Sequence, residues 1–215
     1  MIFGHSLWTV KVMRNPVIEA IYNRRSIRAF EPRPIPREII NMIIEAGNQA
    51  PSQGREEKGE ILFQPWRFVV VEDPEFRQKL VQTALPIWKK FTESMKETNP
   101  EIYAQVITQY EAMDEPKDMV YYSAPVILFV IGPAESAISC ALACENIMLA
   151  AVSLGLGSCY VGFGSMVKGD PDVVQVLELK DDERIYGPIL LGYPKDEDVL
   201  AFVRQKKKEP MIKWI

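Results

Sequence analysis

Apolar residues recur along this chain with two periods, and the points where one gives way to the other divide it into helices and strands. Ile39, Ile40, Ile43, Ile44 and Gly47 share one face at helical spacing, which predicts an amphipathic helix from Pro36 to Asn48. Upstream, Val17, Ile18, Ala20 and Ile21 predict a short helix from Pro16 that ends at Tyr22-Asn23. Phe68 to Val71, Pro125 to Ile131 and Ile185 to Tyr193 are unbroken apolar runs of strand length. The second, β-branched at Val126, Ile127, Val130 and Ile131, reads as a central strand, and the first as a buried one. Ser158 to Gly164 predicts a short strand running into a glycine-rich turn. Two stretches share a helix-start grammar of capping acid, proline and early acid: Asp73-Pro74-Glu75, leading through Val81, and Asp170-Pro171-Asp172, leading through Leu179.

The segment from Glu135 to Leu154 is apolar around most of a helical circumference, with small residues at Ala137, Ser139, Ala141, Ala143, Ala150 and Ala151. Such a helix is buried on several sides, as the core of a monomer or the seam of a dimer. Residues 54–62 read as a charged loop insertion, because the core pattern resumes at once in Trp66 to Val71. Residues 86–117 mix charge with large apolar groups and read as one or two helices, either a lid over a site or a plain packing surface. No internal repeat interrupts the chain.

Composition narrows the class. With 215 residues, 47% of them hydrophobic, the chain suits one domain spanning 1–215 better than two small ones. A net charge of −4 gives no general electrostatic case for nucleic acid or an anionic membrane surface. No continuous run reaches the roughly 20 apolar residues that span a bilayer. Cys140, Cys144 and Cys159 form no C-x-x-C pair and His5 is the only histidine, so neither a disulfide framework nor a zinc site is expected. A reducing, cytoplasmic setting follows as an expectation.

Candidate chemistry concentrates in Arg24-Arg25-Ser26-Ile27-Arg28. Three guanidinium groups and a hydroxyl make a compact donor array that grips phosphate in forked geometry, although a solvated basic turn has the same composition. Order decides between these readings. R-R-S-I-R-x-F at Arg24 to Phe30, E-I-I-x-x-I-I-E-A at Glu38 to Ala46, Ala50-Pro51-Ser52, Gln64-Pro65-Trp66-Arg67-Phe68, Leu154 to Tyr160 and Leu191 to Pro194 succeed one another before a basic tail. Together they resemble the FMN-dependent nitroreductase family from about Val17 to Trp214.

That resemblance implies an α+β fold with a mixed, mainly antiparallel central sheet flanked by helices, intertwined as a homodimer with FMN at the subunit interface. Carried onto this sequence, Arg24, Arg25, Ser26 and Arg28 contact the phosphate and the pyrimidine edge of the flavin. Pro51, Ser52 and Gln53 come to its ring from the partner subunit, and Tyr160, Val161 and Gly162 lie near N5 and offer main-chain donors. Lys206 and Lys208, in a tail (204–215) that reaches the partner, match basic positions that bind phosphate. The family's flavin-ring asparagine is missing: Phe63 stands two positions before Pro65, so Gln64 or Gln53 is expected to supply the amide.

The implied activity is ping-pong: NADH or NADPH gives hydride to flavin N5 and an electron-poor small-molecule acceptor, a nitroaromatic, quinone or flavin, takes it away. No catalytic side chain is required, and no G-x-G-x-x-G fingerprint chooses between the two donors. Relatives on the same scaffold perform dehalogenation or flavin fragmentation, and a flavin-storing module or an inert α+β dimer would use many of the same residues.

Overall fold

The computed structural model describes residues 15–57, 59–115, 117–195 and 209–215. In chain order the elements are α1 (Pro16–Asn23), α2 (Arg37–Asn48), β1 (Arg55–Glu57), β2 (Glu60–Leu62), β3 (Arg67–Val71), α3 (Pro74–Thr98), α4 (Pro100–Glu111), β4 (Val126–Pro133), α5 (Ala137–Ser153), β5 (Gly157–Tyr160), α6 (Pro171–Val176) and β6 (Glu183–Gly192).

Every residue of β4 is buried, and the pleat explains how one apolar run manages this. Ile127, Phe129 and Ile131 enter one core, while Val126, Leu128 and Val130 enter the other. Leu80, Ala84 and Trp88 of α3 cover the first face; Ile40 and Ile43 of α2, with Ala143 and Ile147 of α5, cover the second. Each fully buried leucine, isoleucine or phenylalanine among them contributes about 1.5–3 kcal/mol. Gly47 sets the spacing of α2 on α5, because a Cβ there would lie 2.6 Å from Ile147 Cγ1.

The sheet runs β3-β4-β6-β5 with antiparallel neighbours, and an isolated parallel bridge from Ser26 to Ser158 gives it mixed character at the β5 edge. This is the α+β architecture that the sequence led us to expect. A β-bulge interrupts the pairing of the two central strands. Leu128 pairs with Ile189 but Val130 with Tyr186, so β6 carries one residue more than β4 over this stretch. Side-chain parity flips there: Ile185 faces the α3 core, whereas Ile189 faces the α2–α5 core. Gly187, with φ of 96°, supplies the left-handed backbone the bulge needs.

Several expectations are corrected. Residues 54–62 contain a two-stranded antiparallel hairpin, β1 with β2, rather than a loop. β3 is an edge strand in which only Val71 is buried. α3 continues through Pro86, where the lost backbone donor is tolerated because Ala84 and Trp88 on either side are locked in the core. A 3-10 turn at Ala134–Ser136 precedes α5, and Gly162–Gly169 is a 3-10 helix rather than an open turn. The stretch Ala134–Ser153 is, by length and composition, apolar enough to cross a bilayer, contrary to the sequence reading, but α5 lays Ala143, Cys144 and Ile147 into the sheet core.

Candidate functional site

α1 delivers the arginine segment. Its start is fixed by Asn15, whose side chain accepts from Val17 N at 2.9 Å, and by Pro16 in the first turn. After Asn23 the chain is pinned to the sheet by Ile27, which is 2% exposed and donates its N–H to Ser158 O at 2.9 Å. Gly157 makes that approach possible, since a Cβ there would lie 2.9 Å from Ile27 Cβ, Cγ1 and Cγ2. With Ile27 and Phe30 turned inward, Ser26 and Arg28 are left exposed.

The three arginines have separate fates. Arg24 has its Nε 3.8 Å from the Glu145 carboxylate. Arg25 folds back on α1, donating from one nitrogen to Tyr22 O at 2.5 Å and Arg24 O at 2.9 Å, and so caps the helix end. Its Nε is buried without a partner, as is Ser158 Oγ. Arg28 has no carboxylate partner among the described residues; its guanidinium stands 5.7 Å from the centre of the Tyr122 ring.

Arg28 opens onto a cavity of about 180 Å3. Tyr160, Val161 and Gly162 form one wall, and Trp88, Tyr122 and Phe163 supply aromatic faces. The bulge in β6 positions this wall: Pro188 O accepts from Val161 N at 2.9 Å, and Gly164 packs where a Cβ would be 2.6 Å from Pro188 Cγ. Val161 therefore has no free N–H to offer a ligand, which corrects the expectation for that residue. Gly162, which opens the 3-10 helix with clear space on its Cβ side, is left as the candidate backbone donor. Cys159 also lines the cavity, but burial pushes its thiol up despite the opposing effects of Arg28, Ser26 and Arg24, so it remains a thiol and not a nucleophile. A larger cavity, about 230 Å3 between α3 and Tyr121, is lined by none of the candidate cofactor-binding residues.

Sequence reasoning missed Trp88, Tyr122 and Phe163. Trp88 of α3 meets Tyr110 of α4 in a tilted contact with ring centres 5.4 Å apart, and Phe163 meets Phe91 of α3 edge to face at 4.8 Å. Of residues 86–117, Trp88 lines the cavity, and the segment also supplies packing surface.

The remaining expected residues gather elsewhere. Ser52 Oγ accepts from Gln64 N at 2.9 Å, Gln53 N donates to Ser139 Oγ of α5 at 3.2 Å, and Gln64 donates its amide to Asn48 O at 2.8 Å. Gln64, at φ of 58°, thus has its backbone N–H and one amide N–H engaged; Gln53 is exposed and its amide is unpartnered among the described residues. Pro51 is exposed beside them. This loop feeds β3 and the arginines bridge to β5, the two edges of the four-stranded sheet, about 14 Å apart across the strands. Along the strands, Ser158 is level with Val126 through Leu191, whereas Pro65 O would touch a Cβ on Gly132, about 20 Å farther on. One chain does not bring the two groups together. Lys206 and Lys208 lie outside the described residues.

The Arg28 guanidinium, without a carboxylate partner among the described residues, the orphaned Nε of Arg25 and the orphaned hydroxyl of Ser158 suit an anionic ligand with a phosphate and a polar planar edge, such as a flavin mononucleotide. No cluster fit for a metal occurs among the described residues.

Comparison with known proteins agrees. A profile described as "Nitroreductase family" matches residues 21–193. A protein from Archaeoglobus fulgidus, named as an NADH dehydrogenase/NAD(P)H nitroreductase, is 31% identical over 180 residues, covering 84% of this chain and 86% of that protein. Iodotyrosine deiodinase 1 of Rattus norvegicus is 35% identical over 83 residues, 37% of this chain and 27% of that protein. Among solved structures, a nitroreductase with bound FMN from Bacteroides fragilis superposes with a TM-score of 0.64 at 26% identity, covering 94% of this chain and 99% of that one.

Proposed function

This chain belongs to the nitroreductase family, and from that premise we propose that it is an FMN-dependent oxidoreductase drawing on NADH or NADPH to reduce an electron-poor acceptor. The observation that carries this reading is the cavity beside Arg28: a cation, aromatic faces and backbone, with no carboxylate or imidazole and only a protonated thiol. FMN bound there would supply the hydride-transfer chemistry between donor and acceptor. The chain's own residues bind, orient and exclude water.

Arg24, Ser26 and Arg28 offer charge-assisted donors to the phosphate and the polar edge, while Gly162 leaves room and a free N–H on the ring side. Arg25 holds the segment's shape by capping α1. Because Pro51, Ser52 and Gln53 stand at the other edge of the sheet, the proposed site takes them from a second copy in a homodimer. Gln53 is then the freer of the two amides, since that of Gln64 already donates one N–H to Asn48 O.

A visible titration tests the reading. Protein reconstituted with FMN and kept anaerobic should bleach on addition of NADH or NADPH and recover its colour with a quinone or nitroaromatic. Failure to bind FMN overturns it. The deiodinase match favours a second reading, reductive dehalogenation of a halophenol; iodide release from an iodinated tyrosine by the reduced protein separates the two.

A further inference from the structure

The loop between α4 and β4 contains a buried carboxylate that no flavin contact requires. Asp118 is 3% exposed. Its Oδ1 accepts from Val120 N at 3.0 Å and Tyr121 N at 2.7 Å, and its Oδ2 from Ser123 N at 2.8 Å. One side chain therefore satisfies three backbone donors, and the turn it closes holds Tyr122 and Ser123 at φ of 51° and 52°. Two successive non-glycine residues in the left-handed region are uncommon and persist only where the surroundings enforce them.

Both tyrosines of that turn brace the cavity. Tyr121, 1% exposed, donates its hydroxyl to Gly164 O at 3.1 Å, behind the Gly162 wall. Tyr122 lines the cavity and sets its ring 5.7 Å from the guanidinium of Arg28, a cation with no carboxylate partner among the described residues. An extended or helical Tyr122 would not project from this turn in the same direction. The tyrosine thus helps restrain an otherwise exposed arginine head.

We propose that Asp118 is a positioning residue for cofactor binding: by fixing the 120–123 turn it sets Tyr122 against Arg28 and so aims that guanidinium at the flavin. The inference rests on the flavin-binding reading above. Asp118 does not line the cavity beside Arg28 and acts through the turn it closes, chiefly by placing Tyr122.

The test is an FMN titration, followed by quenching of flavin fluorescence, on wild type, D118N, Y122L, the double variant and Y122F. Each variant is also melted thermally, and the visible circular dichroism of its bound flavin is recorded. D118N and Y122L should each weaken FMN about tenfold, and the double variant no more than Y122L alone, because both act on one linkage. Y122F keeps the ring that faces Arg28 and should bind FMN more tightly than Y122L. The flavin dichroism of D118N should match that of Y122L. A D118N protein that melts earlier but keeps wild-type affinity and dichroism overturns the proposal, as do losses that multiply in the double variant. Should D118N fail to fold, Y122L decides, since it removes none of the turn's hydrogen bonds; unchanged affinity there is equally fatal. Wild type that binds no FMN overturns the flavin reading itself, whereas binding unaffected by these changes overturns this inference alone.

Discussion

Replacing Gly157 with alanine tests the link between the sheet and the arginine segment. The new Cβ would sit 2.9 Å from three atoms of Ile27, including its Cβ. Contacts between carbon atoms settle near 3.5–4.0 Å, so roughly 0.6–1 Å must be regained. Rotating the Ile27 side chain cannot supply this, because its Cβ is fixed to the backbone and its χ1 is stiff. The segment itself must lift from β5, stretching the 2.9 Å bond from Ile27 N to Ser158 O. Overpacking of this kind costs about 1–3 kcal/mol, which lowers Tm by roughly 2–10 °C in a chain of this size. Ser26 and Arg28 move with Ile27, so affinity for FMN should fall alongside Tm. Differential scanning calorimetry with an FMN titration checks both. A G157A protein that melts with wild type and binds FMN equally would refute the claim that Ile27 pins the site.

Changing Arg24 and Arg28 together to alanine should strip FMN from a protein that stays folded, by loss of charge-assisted bonds worth about 1.5–3 kcal/mol each; absorbance at the flavin band and size-exclusion chromatography read the two parts. Mixing that variant with one carrying S52A and Q53A should restore flavin binding and donor oxidation that neither has alone, because a mixed dimer rebuilds one complete site; no recovery refutes the shared site. Glu183 receives two hydrogen bonds from Arg67, at 2.8 and 3.0 Å, and these hold its carboxyl below the ordinary value of 4.5 against the opposing effect of burial. A depressed folded pKa contributes stability that is complete above the unfolded value and lost as pH falls through the folded one. E183Q should accordingly cost about 3 kcal/mol at neutral pH and flatten the loss of stability below about pH 4.5, as urea unfolding across that range would show.

The core was legible because it obeys one-dimensional rules. α2 announced itself through Ile39, Ile40, Ile43 and Ile44, and β4 through a run that only burial on both faces explains. The hairpin at 55–62 was not, because a pair of short strands bearing several charges has no apolar alternation to betray it. Nor was the 3-10 helix after Gly162, which depends on Pro188 from a distant bulge. The site divides the same way. Arg24, Ser26 and Arg28 lie close in sequence and share a chemistry, so their array was visible; Tyr122 reaches Arg28 only through a turn built by Asp118, and nothing in Tyr121-Tyr122-Ser123 itself reveals that contact.

The surface that remains uncovered bears on the proposed pairing. Val17, Ile18, Ile21 and Tyr22 of α1 and Leu142 of α5 are exposed, and Ile138 at the start of α5 is 80% exposed. So much apolar surface on two neighbouring helices marks an interaction site. Those helices are also the supports of the two half-sites: α1 runs directly into Arg24, and Ser139 of α5 anchors the loop at Gln53. In a two-fold pairing the same patch serves both copies, so covering α1 and α5 of each chain carries the arginines of one toward the 51–53 loop of the other. Residues 209–215, which are exposed and include Trp214 at 88%, add an apolar segment that a second copy could bury. Burial of the apolar faces and completion of the flavin site would then be one event, which makes cofactor binding and dimer formation thermodynamically linked: each should strengthen the other.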